Sequence, residues 1–195
     1  MSLADAVAAR EGREWVLMLD RDGVINRRVE GDYVRSWDRF EFLPGALDGI
    51  AELSHWAPRL VIVTNQQGVG KGLIAPSALE DIHARLRAEV EAAGGRIDDV
   101  LVCPHLAGDD CPCRKPRIGL ASDWLAAHPD VDAALSVMVG DSDSDMAFGR
   151  ALADYTGGAF TVRIAPELDP DADHTERSLS DLAAAITATR REDSR

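Results

Sequence analysis

Short apolar runs alternate with helical patterns along the chain, and this alternation limits the folds that are open to it. The helical pattern is clearest at residues 76–93, where apolar side chains recur three and four positions apart. Such an alternation predicts parallel strands joined by crossover helices, which is an α/β doubly wound sheet. The predicted strands are residues 15–19, 60–64, 100–103, 137–140 and 160–164; the predicted helices are residues 44–53, 76–93, 120–127, 143–153 and 179–188; residues 27–43 are predicted to be irregular.

Polar side chains follow three of the predicted strands. Asp20 and Asp22 come directly after the first strand. Thr64 and Asn65 end the second strand, and Asp141 follows the fourth. In doubly wound sheets ligands bind beyond the carboxyl ends of the strands, so we expect these side chains to meet in one crevice. Two carboxylates two residues apart can hold a divalent cation, a nucleophile and a proton donor together.

Four segments of the chain, in this order, resemble the four motifs of the haloacid-dehalogenase (HAD) superfamily of phosphohydrolases. The resemblance extends from about Trp15 to Ile164. It implies an essentially capless, Rossmann-like hydrolase domain and a Mg²⁺-dependent hydrolysis of a phosphate monoester through an aspartyl phosphate. The four segments are L-D-R-D-G-V-I-N at residues 19–26, L-V-I-V-T-N at 60–65, C-R-K-P at 113–116, and S-V-M-V-G-D at 136–141 with Asp145 after it.

The resemblance implies a role for each acidic residue of the first and last motifs. Asp20 is the expected nucleophile. Asp22 is expected to protonate the leaving oxygen and then to activate water, which requires a carboxyl that is protonated at the start and so has a raised pKa. Mg²⁺ is expected to bind Asp20, Asp141 and the backbone carbonyl of Asp22, since it prefers oxygen ligands.

Thr64 and Lys115 complete the expected site. By the same resemblance, Thr64 hydrogen-bonds a phosphoryl oxygen and Lys115 neutralises charge on the transferring group. Asp145 is expected to orient Lys115 or a metal-bound water, although the helix dipole alone also explains an acid at this position. With no large cap, specificity must come from small loops. The predicted substrate contacts are Asn65, Lys71 and Arg114.

Three cysteines and one histidine lie within eleven residues, in the spacing C-x-H-x5-C-x-C. Three thiolates and an imidazole fill the tetrahedral shell of a structural Zn²⁺ and leave no open position for catalysis. We expect this zinc to hold an otherwise irregular loop and so to fix Arg114 and Lys115 beside the phosphate. The predicted zinc ligands are Cys103, His105, Cys111 and Cys113.

Composition and charge argue against several classes of function. The formal net charge of −13 disfavours nucleic acid as a partner, because phosphates are bound through basic patches. No apolar stretch reaches the roughly 18 residues of a membrane span, and the N-terminus lacks the apolar core of a signal peptide. The few cysteines suit a reducing compartment, so we expect a cytoplasmic monomer. The length predicts one domain, 1–195, with a tail or a short helix at 1–13 and a tail at 190–195.

A narrower resemblance concerns the substrate. Zinc-loop HAD phosphatases that resemble this chain include the D-glycero-D-manno-heptose 1,7-bisphosphate phosphatases and the histidinol-phosphate phosphatases. Residues 65–72 and 40–45 are more similar to the heptose enzymes, although Lys71 stands where an arginine is expected. The short segment between His105 and Cys111 is more similar to the histidinol phosphatases.

The charges near the predicted site suit both substrates. Lys71 with Arg114 suits the distal phosphate of a sugar bisphosphate, whereas Asp109 and Asp110 suit the amine of histidinol phosphate. We expect a small phosphorylated metabolite as the partner, and the C7 phosphate of the heptose bisphosphate is favoured over histidinol phosphate. The alternative from another class is a non-catalytic phosphate-binding protein on the same fold. Such a protein would be expected to lose an acid of the first motif, and both are present.

Overall fold

Six parallel strands form a single sheet in residues 1–193, the part of the chain that the computed structural model describes. The strands are β1 (Val16–Leu19), β2 (Arg59–Asn65), β3 (Asp99–Cys103), β4 (Val137–Gly140), β5 (Phe160–Ile164) and β6 (His174–Glu176). Their order in the sheet is β3-β2-β1-β4-β5-β6. Leu17 of the central β1 pairs with Leu60 on one side and with Val137 on the other. The predicted α/β doubly wound sheet is confirmed.

Helices cover both faces of the sheet and enclose two apolar cores. The helices are α1 (Leu3–Ala8), α2 (Ala46–Trp56), α3 (Gln67–Gly70), α4 (Pro76–Ala92), α5 (Gly119–Ala127), α6 (Asp143–Thr156) and α7 (Leu179–Asp193). Leu17 and Leu19 of β1 join the core that contains residues of α1, α2, α4 and α7. Val16 and Met18 join the core that contains residues of α5 and α6. Because β1 is buried on both faces, its sequence is a continuous apolar run.

The N-terminal segment, expected to be a short helix or a tail, contains the helix α1. Ala6 and Val7 of α1 are buried in the first core. The buried guanidinium of Arg10 donates to the carbonyl of Ala6 at 2.6 Å and to that of Leu135 at 2.8 Å. Because an unpaired buried charge is costly, Arg10 needs both bonds, and the one to Leu135 fastens the segment 1–13 to the rest of the fold.

The C-terminal helix is longer than predicted. α7 continues beyond residue 188 to Asp193, so residues 190–193 of the predicted tail are helical. Residues 194–195 of that predicted tail lie outside the described residues. Leu182 and Ile186 are buried in the core that α2 also contributes to, which explains why this segment is held on the domain.

The strand β6 and the helix α3 are two of the short elements that were not predicted. The edge strand β6 has no apolar pattern and forms through its main-chain pairing with β5. α3 is a single turn after β2. The predicted strands and the other helices agree with the structure to within a few residues. Within residues 1–193, no helix is both long enough and apolar enough to span a bilayer.

Candidate active site

The polar residues predicted at the strand ends meet at the carboxyl edge of the sheet. Asp20 follows β1, Thr64 ends β2 with Asn65, and Asp141 follows β4. Lys115 reaches them from the loop between β3 and α5. A cavity of about 480 Å³ opens at this edge. Of the predicted site residues, its lining includes Asp20, Asp22, Thr64, Asn65, Lys71, Arg114, Lys115 and Asp145.

A buried lysine joins two of these carboxylates. Lys115 is 4% exposed, and its ammonium lies 2.7 Å from Asp20 Oδ1 and 2.7 Å from Asp145 Oδ1. Burial disfavours the ammonium, but the two carboxylates outweigh it and raise the pKa of Lys115. Burial also raises the pKa of Asp20 to about 7, although Lys115 favours the ionised carboxylate. The geometry therefore places a fixed positive charge directly beside a carboxylate on the cavity wall.

Three donors hold the carboxylate of Asp22. Arg21 Nη2 donates to both of its oxygens at 2.9 Å, Asn26 Nδ2 donates at 2.9 Å, and Gln66 Nε2 donates at 2.7 Å. Burial favours the neutral carboxyl, but Arg21 and these bonds outweigh it and lower the pKa of Asp22. The expected raised pKa is therefore wrong for this arrangement. The motif itself does not reveal that the side chain of Arg21 turns toward its neighbour.

A neutral histidine lies behind this ion pair. Arg21 is fully buried, and its Nη1 donates to Nε2 of His83 on α4 at 3.0 Å. Because arginine only donates, the accepting nitrogen carries no proton. Burial first, and then the charge of Arg21, lower the pKa of His83 to about 3. Arg21 is thus held between His83 and Asp22, a contact across 62 residues of sequence that no local pattern indicates.

Two of the carboxylates expected to bind a divalent cation lie close together, and Asp145, which was not among the expected ligands, lies beside them. Carboxylate oxygens of Asp20, Asp141 and Asp145 all lie within 4.8 Å of one another. Gly23 permits this approach, because a Cβ there would lie 2.1 Å from Asp141 Oδ2, and its φ of +98° suits glycine. Burial raises the pKa of Asp141, against the influence of Arg28. A set of close, hard oxygen donors fits Mg²⁺.

Asp145 has two structural partners. Its Oδ2 accepts from the backbone nitrogen of Ser142 at 3.1 Å and from Ser142 Oγ at 2.6 Å, which forms a capping box at the start of α6. Its other oxygen contacts the ammonium of Lys115. The geometry therefore combines a helix-capping role with the first of the two predicted roles, orientation of Lys115.

Three consecutive side chains at the end of β2 organise this region. Thr64 is buried at the cavity wall, and its Oγ1 accepts from Gln66 Nε2 at 2.9 Å. Asn65 Oδ1 accepts from the backbone nitrogen of Lys115 at 3.1 Å, and Asn65 Nδ2 donates to the Lys115 carbonyl at 3.2 Å. Asn65, a predicted substrate contact, thus holds the main chain of Lys115. Gln66 was not predicted, although it directly follows the second motif.

Two further cations line the cavity. Lys71 Nζ donates to Tyr33 Oη at 2.9 Å. Nη1 of Arg114 is buried and has no hydrogen-bond partner within residues 1–193. A buried guanidinium donor is costly to leave unpaired. Both residues therefore lie at the cavity wall, and their contact with a substrate anion stays a prediction.

The predicted zinc ligands converge in the loop after β3. The Cys103 sulfur lies 3.6 Å from that of Cys111 and 3.3 Å from that of Cys113, and the last two are 3.4 Å apart. Nδ1 of His105 lies 3.1 Å from the Cys113 sulfur and 3.7 Å from the Cys103 sulfur. A tetrahedron with Zn–S bonds of about 2.3 Å has edges of about 3.8 Å. Four donors at this spacing fit a tetrahedral metal.

Comparisons with known proteins agree with this geometry. The chain is 46% identical over 187 residues to the D-glycero-alpha-D-manno-heptose-1,7-bisphosphate 7-phosphatase of Mycobacterium tuberculosis, covering 95% of this chain and 98% of that one. It is 38% identical over 137 residues to the D-glycero-beta-D-manno-heptose-1,7-bisphosphate 7-phosphatase of Pseudomonas aeruginosa, covering 70% and 76%. No protein-family model matches the chain.

A solved structure shows the same fold. The D,D-heptose 1,7-bisphosphate phosphatase of Bordetella bronchiseptica, complexed with magnesium and phosphate, superposes with a TM-score of 0.78 at 29% identity, covering 89% of this chain and 98% of that one. The resemblance of the four motifs to HAD phosphohydrolases is thereby confirmed. This chain belongs to the heptose-1,7-bisphosphate 7-phosphatases, a family of phosphatases in the HAD superfamily.

Proposed function

We propose that this chain hydrolyses the C7 phosphate of D-glycero-α-D-manno-heptose 1,7-bisphosphate through an aspartyl phosphate on Asp20. The observation that carries the proposal is the contact of Asp20 with the buried ammonium of Lys115 at the cavity wall, with Asp22 two residues further on. The α anomer is favoured because the relative that covers 95% of this chain is named for it. The relatives of Pseudomonas aeruginosa and Pseudomonas putida named for the β anomer are less similar, at 38% and 34% identity.

Asp20 supplies the attacking oxygen. Its bond to phosphorus forms as the bond between phosphorus and the C7 oxygen breaks. Lys115 compensates the negative charge that gathers on the transferring group. The hydroxyl of Thr64 donates to a phosphoryl oxygen. Because Thr64 Oγ1 already accepts from Gln66, its own hydrogen is available to point toward the cavity.

Asp22 moves the protons. It gives a proton to the leaving C7 oxygen, and it later takes one from the water that attacks phosphorus and releases Asp20. The donors around Asp22 lower its pKa, so the substrate itself must promote its protonation. A phosphate dianion brought beside Asp22 does so, because a like charge disfavours the ionised carboxylate. The net reaction consumes one water and yields the heptose 1-phosphate and inorganic phosphate.

The donor sets of the two clusters fit two different metals. Asp20, Asp141 and the carbonyl of Asp22 would hold Mg²⁺, because this ion prefers oxygen ligands. When bound, that ion would neutralise charge on the phosphoryl oxygens. The sulfur and imidazole donors suit Zn²⁺ in a structural role. The residues that would hold zinc are Cys103, His105, Cys111 and Cys113.

The charges around the cavity favour the sugar bisphosphate over histidinol phosphate. Lys71 and Arg114 line the cavity and would bind the distal C1 phosphate. Among the described residues, the lining does not include Asp109 or Asp110, the acids that would bind an amine. Asp110 instead pairs with Arg117.

Phosphate release in the presence of Mg²⁺ tests the proposal. The substrates are the two anomers of the heptose bisphosphate and histidinol phosphate. We expect kcat/KM for the α anomer to exceed that for histidinol phosphate by at least about a hundredfold. A preference for histidinol phosphate would overturn the substrate, and no release from any of the three would overturn the hydrolytic function.

A pair of variants tests the nucleophile. Asp20→Asn should abolish turnover while the protein remains folded, as measured by circular dichroism and thermal melting. Asp143→Asn makes the same chemical change at a fully exposed acid in the first turn of α6 and should retain activity. Turnover by Asp20→Asn at the rate of the Asp143→Asn control would contradict an aspartyl phosphate on Asp20.

A further inference from the structure

An arginine that the sequence motifs do not single out reaches into the acidic cluster. Nη2 of Arg28 donates to the backbone carbonyl of Asp22 at 3.0 Å and to Asp141 Oδ1 at 2.8 Å. The side chain of Arg28 is 49% exposed and lines the cavity. The guanidinium of Arg28 is therefore held by two hydrogen bonds, while the rest of the side chain lines the open cavity.

The two oxygens that Arg28 contacts are both expected ligands of the divalent ion. Mg²⁺ takes oxygen ligands at about 2.0–2.1 Å and requires a near-octahedral set. A guanidinium bound to the same carbonyl and the same carboxylate brings a second positive charge to within a few ångströms of that ion. The repulsion between them and the competition for lone pairs disfavour simultaneous binding. The carbonyl of Asp22 and Oδ1 of Asp141 can therefore bind either Arg28 or the ion, and binding of both at once is unfavourable.

An arginine displaced from these oxygens needs another anionic partner. In the loop that carries Arg28, the carboxylate of Asp32 already pairs with Arg35 and lies 3.7 Å from Arg39. The cavity beside Arg28 is where the proposed substrate brings its phosphate. The planar fork of a guanidinium matches phosphate oxygens and can bind two of them at once.

We infer that Arg28 is an exchangeable cation of the active site: the divalent ion displaces it from Asp22 and Asp141, and the freed guanidinium binds the phosphate. The inference rests on the proposed function for the identity of the phosphate ester. It assigns Arg28 a phosphate-binding role that links entry of the ion to capture of the anion. When Arg28 breaks its bonds to Asp22 and Asp141, those two oxygens become available to one ion, and the guanidinium becomes available to one phosphate.

The neighbouring arginine provides a matched control. Arg27 pairs with Glu41 at 3.0 Å, is exposed, and does not belong to the cavity lining among the described residues. Arg27→Gln and Arg28→Gln remove the same charge from adjacent positions of the same loop. A general effect of net charge or of loop stability would appear in both variants, whereas the exchange concerns Arg28 only.

The first measurement is calorimetric titration of Mg²⁺ into the wild-type protein and both variants without substrate. We expect Arg28→Gln to bind Mg²⁺ about two- to fivefold more tightly than wild type, the size of a half-exposed ion pair. Arg27→Gln should match wild type. Equal or weaker binding by Arg28→Gln, or tighter binding by both variants alike, would overturn the exchange, as would a wild-type protein that does not bind Mg²⁺.

The second measurement uses inorganic phosphate as the probe on the Mg²⁺-loaded proteins. We expect Arg28→Gln to weaken phosphate binding about tenfold, as loss of a charge-assisted hydrogen bond does, with no change in Arg27→Gln. Unchanged phosphate binding in Arg28→Gln would overturn the second half of the inference. Neither titration requires turnover, so failure of the proposed heptose substrate and failure of the exchange are distinguished. Thermal melting of both variants verifies that they are folded.

Discussion

Lys115, whose ammonium lies 2.7 Å from Asp20 Oδ1, is two residues from Cys113, whose sulfur lies 3.1 Å from His105 Nδ1. The buried cation of the cavity and the thiol cluster therefore share one short segment of chain. Asn65 fastens the same segment to β2 through two bonds to the main chain of Lys115. The position of the ammonium depends on both attachments, because a long side chain is ordered only on an ordered backbone.

Loss of one proposed zinc ligand should lower activity, because Cys113 and Lys115 share this segment. In Cys111→Ser, we expect the bound zinc to fall, the melting temperature to drop, and kcat/KM to fall about 10- to 100-fold, because small displacements of a catalytic cation are costly. Metal analysis, thermal melting and phosphate release measure the three effects. Asp110→Asn is the control in the same loop, since asparagine also tolerates the φ of 52° found there. Full activity in zinc-free Cys111→Ser would refute a structural role for the metal.

The two lysines of the chain should respond differently to the same substitution. Lys115→Met removes the cation between two buried carboxylates, so we expect kcat to fall at least about a hundredfold and the free energy of unfolding to fall by about 3 kcal/mol. Lys71→Met should leave stability unchanged and raise KM for the bisphosphate about tenfold, with little effect on the heptose 7-phosphate that lacks the distal group. Steady-state kinetics and urea unfolding measure both. An equal loss on the two substrates in Lys71→Met would contradict binding of a distal phosphate.

His83 should make the folded protein sensitive to acid. Its pKa of about 3 in the folded protein lies below the value near 6.5 expected for an unfolded chain, so the folded state binds fewer protons between these limits. Stability should therefore fall as the pH drops below about 6.5, with a contribution from His83 of roughly 1.4 kcal/mol per pH unit. His83→Gln keeps an acceptor for Arg21 and should remove this part of the slope.

Urea unfolding at pH 7, 6 and 5 measures that slope. His55→Gln, at an exposed position of α2, is the control and should follow wild type. Identical pH dependence in His83→Gln and wild type would show that His83 is not held neutral in the fold.

Gln66 should affect the chemical step more than substrate binding. One amide nitrogen donates to both Asp22 and Thr64, so Gln66→Met, of similar volume, releases the two groups together. We expect kcat to fall about a hundredfold while KM changes little, because the lost bonds orient groups for the reaction. The same variant should shift the pH profile of kcat, since one of the donors that lower the pKa of Asp22 is gone. A rise in KM alone, with kcat and its pH profile unchanged, would indicate that Gln66 contacts substrate instead.

The polar residues at the ends of β1, β2 and β4 were predicted correctly from the apolar runs that precede them. Asp20, Thr64 and Asp141 each follow an apolar run, and parallel strands bring such positions to one edge of the sheet. The spacing of the thiols and the imidazole likewise indicated a cluster that the structure closes. The terminal segments were predicted less well, since the burial of Ala6, Val7 and Ile186 depends on partners far along the chain.

The sequence by itself determined the chain order of five strands and five helices, the acids and hydroxyl at the strand ends, and the four candidate zinc ligands. Local periodicity and chain direction are enough to specify these features. Only the tertiary structure decided that Arg21 lowers the pKa of Asp22, that Asn65 holds the main chain of Lys115, and that Arg28 reaches Asp141 across 113 residues. A pKa and a hydrogen bond depend on burial and on which partners meet in space, and residues distant in sequence supply both.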